Sequence, residues 1–564
     1  MAGEAKGEVT VPPTLQALLA ARLDQLVTAE RSVLERGAVE GEIFHRGAVQ
    51  ALAPEETQVT PRLAALVRKQ LVRPDKTQLR GEDAFRFRHL LIRDAAYEAL
   101  PKATRAELHE LFASWLEQHG AELVELDELL GYHLEQACRY RAELGMPDDG
   151  ILAAAARRRL TAGGHRAQSR ADYGAAVSLF ERAAALVPPA EIDLALELAL
   201  ADALFWAGKG GEALRRADSL AERAAAAGDR VAELCGRIKE GMLRTFLEPE
   251  GATEELASLL EEALPVFEAA GDDLALHVGY HALGQVANMR AQMDEGLKAY
   301  ERAAAHARQA GLPDELVGWR ATFRYFGTTP VLGLLAWLDE YEPREGRNHW
   351  LRTYRAGALA MLGRFDEARA IIAETRAELA ERGGGIQLAT TTGMVCVDVE
   401  LLAGDPAAAA ELGAEGCRLL DELGEHSFLS TAAGNLAQAL YALDRLDEAD
   451  VWAGRAAELG ASDDAFTQML WRQVRAKVLA RRGEHAEAER LAREAAAVCE
   501  ETDMLTAQGD TYADLAEVLL LAGKADGAAA ALEQALERYE RKGNLVSAQR
   551  AQTRLAELQD AAPQ

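Results

Sequence analysis

The sequence predicts an all-α protein in which a small helical unit with one β-hairpin precedes a long array of helical repeats. Its 564 residues are alanine-rich, with 27% charged residues, 6% aromatic residues and only 16 prolines, which is typical of helices in water. From residue 171 onward a turn-like hexapeptide recurs about every 35 to 43 residues, which indicates repeated helical hairpins. Only one stretch, around residue 85, alternates with a period of two, as a β-strand does.

The first unit contains four predicted helices and a hairpin. Five leucines of "TLQALLAARLDQL" share one helical face, and Thr14 suits its N-cap. Three further helices are predicted in "TAERSVLERGAVEG", "HRGAVQAL" and "TPRLAALVRKQL". In "FRFRHLLIRDAAYEALP", residues 85–101, the period changes from two to 3.6 after His89, so a strand leads into a helix. Helices followed by one hairpin predict a winged helix, with this strand as the second strand of its wing.

These patterns divide the chain into four parts. Residues 1–13 are expected to be a disordered or linking start, and residues 14–120 the winged-helix domain. A helical connector and the turn-rich linker "ELGMPDDG" occupy residues 121–150. Residues 151–560 are predicted to form about nine or ten helical-hairpin units.

The repeats are defined by a turn signal of the form Gly-x-x-x-Glu-Ala. Strong copies begin at residues 208, 363, 444 and 483, and weaker copies begin at 171, 291, 404 and 523. The gaps between 208 and 291 and between 291 and 363 each leave room for one degenerate copy. Each unit is expected to bury its apolar face only against its neighbours, so truncation after Gly460 should leave a soluble helical fragment. Small residues are predicted at the helix crossings, namely Ala303, Ala456, Ala495 and Ala535.

One unit, "LGQVANMRAQMDEGLKAYERAA", resembles the tetratricopeptide repeat (TPR). Leu283-Gly284, Ala291, Tyr300 and Ala303 stand at the TPR spacings, although the repeats of this chain are longer than the usual 34 residues. The resemblance implies a concave face, formed by the first helix of each pair, that binds a protein, a peptide or a signal ligand. The residues predicted to contact the partner there are Asn288, Asn435 and Asp514. The alternative is that these three are ordinary exposed polar residues.

A longer resemblance covers the first 185 residues. It is carried by "PPTLQALLAARLDQL", "RSVLERGAVEGEIF", "AFRFRHLLIRDAAYEALPKATRAELHELFASWLE" and "SRADYGAAVSLFERAAAL". These segments resemble the part that follows the nucleotide-binding domain in bacterial STAND-type signalling ATPases, especially those linked to a class III adenylate or guanylate cyclase or to a transcriptional regulator. The resemblance implies that the winged helix docks on an NTPase module, in the same chain or in another, and that the TPR-like array senses a partner.

The resemblance also singles out His89. In the wider superfamily a Met-His-Asp motif at this place contacts the phosphates of bound ADP, and here only the histidine carries over, between Arg88 and Leu90. His89 is therefore a candidate ADP-phosphate sensor, but only when an NTPase domain is present. The alternative is structural: its ring hydrogen-bonds a backbone carbonyl at the strand-to-helix junction and fixes the wing.

The charge distribution separates two candidate partners for the winged helix. The segment from Arg62 to Arg105 contains eleven Lys or Arg residues and five Asp or Glu residues, whereas the whole chain has a net charge of −29. The predicted basic face could meet an acidic surface of an NTPase domain or, as in a DNA-binding transcriptional regulator, DNA. The acidic array opposes DNA and anionic membranes, so domain docking is preferred and neither is expected as a partner. The residues of this face are Arg68, Lys69, Arg73, Lys76, Arg80, Arg86 and Arg88.

No catalytic motif, cofactor site or metal site is predicted. A P-loop requires Gly-Lys followed by Ser or Thr, and neither Gly208-Lys209 nor Gly523-Lys524 meets this requirement. The chain is therefore interpreted as a non-enzymatic part of a larger regulator whose NTPase and cyclase domains it lacks. His277 and His281 could share a metal from one helical face, but without a third ligand nearby they are interpreted as packing histidines.

The remaining sequence features indicate the cellular compartment of the protein. The five cysteines are scattered without a Cys-x-x-Cys spacing, which indicates reduced and mostly buried thiols. The start of the sequence lacks the apolar segment of a signal peptide, and no run of about 18 apolar residues free of charges occurs. The sequence therefore predicts a cytoplasmic protein.

Overall fold

The computed structural model describes residues 21–77, 79–147, 150–314, 316–345 and 348–561. The chain forms two compact units, one of residues 1–164 with 178–191 and the other of residues 165–177 with 192–564. The predicted linker 1–13 and most of the predicted helix 14–26 lie outside the described residues, although residues 21–24 are helical.

The first unit combines helices with a small sheet. Its elements are α1 (Thr28–Glu40), β1 (Ile43–His45), α2 (Arg46–Leu52), α3 (Val59–Arg68), β2 (Val72–Asp75), β3 (Ala84–Phe87), α4 (Leu90–Glu98), α5 (Lys102–His119) and α6 (Leu126–Glu143).

The sheet of this unit has three strands rather than the single predicted hairpin. Both pairings are antiparallel in the order β1-β3-β2, so β3 is the central strand. In the strand register Phe85 lies opposite Phe44 on β1, and Arg86 lies opposite Arg73 on β2. The prediction missed β1 because three residues are too few to show an alternating pattern.

The alternation of Phe and Arg places the aromatic side chains in the core, as expected. Phe44 and Phe87 are fully buried with ring centroids 5.1 Å apart, and Phe85 stacks on Phe44. Leucines of α1 and α3, among them Leu34 and Leu63, complete this core.

The second unit is almost entirely helical. Helices α7 (Ile151–Ser169) and α8 (Tyr173–Ala184) contribute residues to both units. The remaining helices are α9 (Leu194–Trp206), α10 (Gly210–Ala227), α11 (Arg230–Leu247), α12 (Ala252–Ala270), α13 (Asp273–Met289), α14 (Met293–Gln309), α15 (Val317–Phe326), α16 (Val331–Glu345), α17 (His349–Met361), α18 (Phe365–Glu381), α19 (Gly385–Gly393), α20 (Val395–Ala403), α21 (Pro406–Leu423), α22 (Ser427–Ala442), α23 (Leu446–Leu459), α24 (Ala465–Arg481), α25 (His485–Glu500), α26 (Leu505–Leu521), α27 (Ala525–Lys542) and α28 (Leu545–Ala561).

The turn signal has a backbone explanation. The first residue of each of its eight copies has a positive φ, between 52° and 86°, and it lies between the two helices of a pair. Glycine adopts this left-handed conformation without a steric cost, and five of the eight positions are glycine. The two gaps between copies are occupied by the pairs α11–α12 and α15–α16.

The small residues predicted at the helix crossings are buried. Ala303, Ala456, Ala495 and Ala535 are all 0% exposed. In the TPR-like unit a Cβ atom on Gly284 would lie 2.5 Å from the ring of Tyr300, so only glycine allows this ring to pack there.

The pairs wind into a tight superhelix whose successive turns contact each other. The first helices of pairs five apart pack together, in the combinations α9 with α19, α11 with α22, α15 with α26 and α17 with α28. Asp503 Oδ1 and Oδ2 accept hydrogen bonds from the backbone N–H groups of Met293 and Asp294, at 2.5 and 2.7 Å. The expectation that each repeat contacts only its neighbours is therefore wrong, because one superhelical turn takes about five pairs.

One apolar segment, Gly385–Ala403, comprises α19 and α20. Among the described helices it alone is long and apolar enough to cross a membrane, but 67% of it is buried inside the fold. It is the first helix of its pair, interrupted at Met394, so its apolar character is explained by its place inside the superhelix.

Candidate ligand-binding interior of the superhelix

The first helices of the second unit enclose a row of cavities. The largest, here called the acidic cavity, has a volume of about 490 Å³ and is lined by residues of α15, α17, α20, α22, α24, α26 and α28. A second, the aromatic cavity, of about 90 Å³, shares Phe326 and Phe466 with it. A third, of about 80 Å³, shares Trp319 with the aromatic cavity. The cavities therefore adjoin each other inside the superhelix.

The acidic cavity contains more carboxylates than it can pair with cations. Lys477 Nζ lies 2.9 Å from Asp514 Oδ1 and also donates to Gln438, and the hydroxyl of Tyr441 donates to Glu517 at 2.6 Å. Two further carboxylates that line the cavity, Asp398 on α20 and Asp510 on α26, form no ion pair among the described residues.

The surroundings of Asp398 and Asp510 in this cavity raise the pKa values of both carboxyl groups. Asp398 accepts no hydrogen bond from any described residue, and Asp510 accepts one from the hydroxyl of Tyr539 at 2.6 Å. Burial, together with the smaller effect of the nearby Asp510 carboxylate, raises the pKa of Asp398 to about 7. Burial likewise raises the pKa of Asp510 to about 6. Asp398 is partly buried, whereas Asp510 is exposed to the open space of the cavity, and the helices that surround both carboxylates disfavour their charged forms.

The aromatic cavity is apolar with isolated hydroxyl groups. Trp319, Trp350 and Phe428 are among its lining rings. The hydroxyls of Thr353 and Thr391 are buried in its wall without a hydrogen-bond partner. An apolar group with an adjacent polar atom would fit such a lining.

The three residues that the sequence predicted to contact a partner all face these cavities. Asn435 and Asp514 line the acidic cavity, and Asn288 lines the aromatic one. Asn435 is 6% exposed, and its Nδ2 donates to the carbonyl of Gly393 at 3.5 Å. They are inner residues of the superhelix rather than ordinary exposed polar residues.

The sequence analysis missed Asp398, Asp510 and Asn544. Asn544, at the start of α28, is 0% exposed and lines the acidic cavity, and its Nδ2 has no hydrogen-bond partner. For Asp398 a signal was present, because a carboxylate within the apolar segment "GMVCVDVELLA" is expensive to bury without a purpose.

In the first unit, His89 is the residue immediately before α4. Its ring is exposed and makes no hydrogen bond with any described residue, so the interpretation in which it binds a backbone carbonyl is wrong. The neighbouring side chain of Leu90 is 55% exposed.

The predicted basic face is partly neutralised within the first unit. Lys69 pairs with Glu30 at 2.5 Å, and Arg86 pairs with Glu42 at 2.6 Å and with Asp75. The Arg86 guanidinium thereby lowers the pKa of Asp75. Arg80 approaches Glu122 at 3.9 Å. The cations of this face that are exposed and form no ion pair with a described carboxylate are Arg68, Arg73, Lys76 and Arg88.

The two histidines on α13 pack between helices. His277 Nδ1 donates to the carbonyl of Ala303 at 3.0 Å, and the ring of His281 lies 5.5 Å from that of Tyr300. Burial lowers the pKa of His281 well below its usual value. No group of three potential metal ligands occurs among the described residues. Four of the five cysteines are buried, and the described chain contains no disulfide.

No protein-family model and no curated protein matches the sequence. Among solved structures, the APC/C hetero-tetramer Cut9–Hcn1 is similar over 92% of this chain and 93% of that chain, with a TM-score of 0.53 and 12% identity. A Rap protein complexed with competence and sporulation factor is similar over 66% of this chain and 98% of that chain, with a TM-score of 0.36 and 13% identity. A STAND protein with a tetratricopeptide repeat sensor, from Pyrococcus horikoshii, is similar over 98% of this chain and 68% of that chain, with a TM-score of 0.35 and 15% identity.

The helical pairs and the similarity to Cut9–Hcn1 define the class of the protein. The second unit is a TPR-like helical solenoid. The coarse prediction of a mostly helical TPR-like repeat protein is thereby confirmed.

Proposed function

We propose that this chain is a non-catalytic regulatory scaffold whose superhelix binds an extended segment of a partner protein in its interior. The observation that carries the proposal is the acidic cavity, which only first helices line and which contains polar groups without partners. Its volume lies within the range of about 300–1,000 Å³ that is typical of ligand sites. Buried polar groups in proteins normally have hydrogen-bond partners, so these groups are matched to atoms that a ligand supplies.

A peptide is the ligand that fits both cavities at once. The acidic cavity offers donors and acceptors, and the adjoining aromatic cavity offers an apolar pocket behind Phe326 and Phe466. A peptide alternates main-chain polar groups with side chains, so one residue can occupy the polar space while its neighbour occupies the apolar one.

Filling the cavity should abolish peptide binding. Ala513 on α26 lines the acidic cavity, whereas Ala530 on α27, the second helix of the same pair, is exposed. We expect Ala513→Trp to weaken the binding of peptides selected from a phage-displayed 12-residue library by about a hundredfold or more, because the indole occupies their space. Ala530→Trp should leave affinity unchanged. Fluorescence anisotropy measures both, and circular dichroism verifies that both variants are folded.

The proposal fails in either of two ways. A library that yields no peptide binding to the full chain would remove the interior as a peptide site. Equal affinities of Ala513→Trp and the parent for the selected peptides would place their binding elsewhere on the molecule.

For the first unit we propose a winged helix that docks on a STAND-type NTPase module in the cytoplasm, within a regulator linked to a class III cyclase or a transcriptional regulator. The order α1-β1-α2-α3-β2-β3 and the sequence resemblance support it. DNA binding is the weaker alternative, because Arg68 is the only exposed cation on α3 and Arg86 is already paired.

His89 should affect ADP only together with such a module. Its exposed, unpaired ring is available to a phosphate, but one imidazole cannot form a nucleotide site alone. With a matching NTPase domain supplied, His89→Leu should release ADP about tenfold to a hundredfold faster, the effect of one hydrogen bond to a charged group. His485→Leu, at an exposed position on α25, is the control. Equal ADP dissociation rates for His89→Leu and the parent would contradict the sensing role.

A further inference from the structure

We propose that the acidic cavity recognises a basic residue of the bound peptide. The guanidinium or ammonium group would lie between Asp398 and Asp510, and a peptide carbonyl would accept a hydrogen bond from Asn544 Nδ2. This inference rests on the proposed function and adds the chemistry of the ligand.

The cations around the cavity form no ion pair with either of these two carboxylates among the described residues, although Lys477 and Arg550 act on Asp510 from a greater distance. Lys477 is paired with Asp514. Arg550 donates to the carbonyl of Leu402 at 2.7 Å, and Arg554 lies 3.8 Å from Glu517. The direct contacts of the cations in the lining are therefore with groups other than Asp398 and Asp510.

Two facing carboxylates in such a space are costly in the free protein. The surrounding helices penalise the charged form of each carboxylate, and the charge of Asp510 opposes the ionisation of Asp398. A cation placed between them removes both penalties, and a guanidinium or ammonium group supplies the N–H donors that Asp398 lacks. The site therefore fits a cationic group better than a neutral or acidic one.

Asn544 gives an independent indication of a ligand. Its Oδ1 accepts a hydrogen bond from the backbone N–H of Ser547 at 3.1 Å, which assigns the unpaired Nδ2 as a donor. The side chain is fully buried and belongs to the lining of the cavity, so a ligand in the cavity is the source we infer for the acceptor that Nδ2 lacks. A carbonyl oxygen is such an acceptor, and peptides carry one beside every side chain. The residue next to the basic one should be apolar, because Phe326 and Phe466 form the shared wall.

If Asp398 serves ligand binding at a cost in stability, replacing it should stabilise the peptide-free chain and weaken peptide binding. The folded pKa of Asp398, about 7, lies above the unfolded value of about 3.9. The contribution of this carboxyl to stability is therefore complete below about pH 4 and is lost as the pH rises through 7. Asp398→Asn should raise the Tm of the peptide-free chain by about 2–5 °C at pH 8 and leave it almost unchanged at pH 4.5. The same variant should bind the peptide less well.

The charged groups that face Asp398 across the cavity are Asp510, Asp514, Glu517, Lys477, Arg550 and Arg554.

The binding test uses the peptides selected from the 12-residue library. Those that Ala513→Trp excludes should contain Arg or Lys next to an apolar residue. Replacing that basic residue by citrulline, which keeps the shape of arginine without its charge, should lower affinity about tenfold or more. In Asp398→Asn and Asp510→Asn the arginine and citrulline peptides should bind almost equally. Asp526→Asn, an exposed position on α27, should retain the full preference.

The outcomes separate this inference from the proposed function. Peptides that bind inside the superhelix without a basic residue, or equally well with citrulline, would overturn the cation site while the peptide-binding interior remains. Competition by spermidine as strong as by the arginine peptide would show that the site takes a free amine and does not use the peptide carbonyl. An Asp398→Asn variant with unchanged Tm at pH 8 and unchanged affinity would also contradict the inference.

Discussion

Replacing Lys542 by Met is expected to destabilise the superhelix by about 3 kcal/mol or more. The Lys542 side chain is 0% exposed, and its Nζ donates to three carbonyls, those of Arg324 at 2.9 Å, Gly327 at 2.8 Å and Thr329 at 2.8 Å. The carbonyl of Arg324 lies in the last turn of α15 and the other two follow its end, where the helix dipole favours a cation. Burial lowers the pKa of Lys542 to about 7, and Asp294 opposes this effect. Methionine keeps the length of the side chain but leaves the three carbonyls without their donor.

The matched control is Lys524→Met. Lys524, immediately before α27, is exposed and its one ion pair among the described residues is with Glu489, so its replacement should cost less than about 0.5 kcal/mol. Thermal unfolding compares the two variants, and hydrogen exchange in α15 and α27 locates the loss. A Tm of Lys542→Met close to that of Lys524→Met would show that the contact between superhelical turns contributes little.

Gly416→Ala should be the second severe substitution, although it adds a single methyl group. A Cβ atom at Gly416 would lie 2.3 Å from the Cα and 2.5 Å from the backbone nitrogen of Gly393. Because backbone atoms cannot rotate away, α19 and α21 must separate, and overpacking of this kind costs about 1–3 kcal/mol or more. The first helix of this pair is interrupted at Met394, directly after Gly393.

Gly454→Ala is the opposing control. Gly454 lies inside α23, and a Cβ there would meet no atom within 4 Å. Alanine favours the helix by about 0.5–1 kcal/mol over glycine, so this variant should be slightly more stable than the parent. The two Gly→Ala variants should therefore shift Tm in opposite directions. A shift of the same sign in both would contradict the close approach of α19 and α21.

The helical pairs could be predicted because the forces that define them are local. A turn signal such as "GRFDEA" combines a residue that tolerates positive φ with the start of the next helix, and both are visible within six residues. Strand β1 could not be predicted, because its pairing with β3 is a contact between segments about 40 residues apart.

The contacts between superhelical turns were also beyond the sequence. They depend on a small rotation between successive pairs that accumulates over about five of them, and no residue pattern fixes that rotation. The bridges of Asp503 and Lys542 cross more than 200 residues of chain. Truncation after Gly460 would remove Asp503 and Lys542 together with their contacts to the preceding superhelical turn. We therefore no longer expect the remaining fragment to tolerate this truncation.

The candidate site was partly accessible to sequence reasoning. The repeat register identifies the first helices, and it led to Asn288, Asn435 and Asp514, all of which line the cavities. Asp398, Asp510 and Asn544 belong to three different pairs, and only the winding of the superhelix brings them to one cavity. The exposure of the His89 ring could not be predicted, because the periodicity of a sequence does not give the orientation of a single side chain.

The most direct test of the central claim is site-specific photo-crosslinking of a selected 12-residue peptide. A benzophenone side chain is placed at Ala442 on α22, which lines the acidic cavity, or at Val451 on α23, the second helix of the same pair, whose side chain is 69% exposed. If the partner segment binds inside the superhelix, the peptide crosslinks at position 442, and excess unlabelled peptide abolishes the crosslink. Crosslinking at position 451 with none at position 442 would contradict binding in the interior.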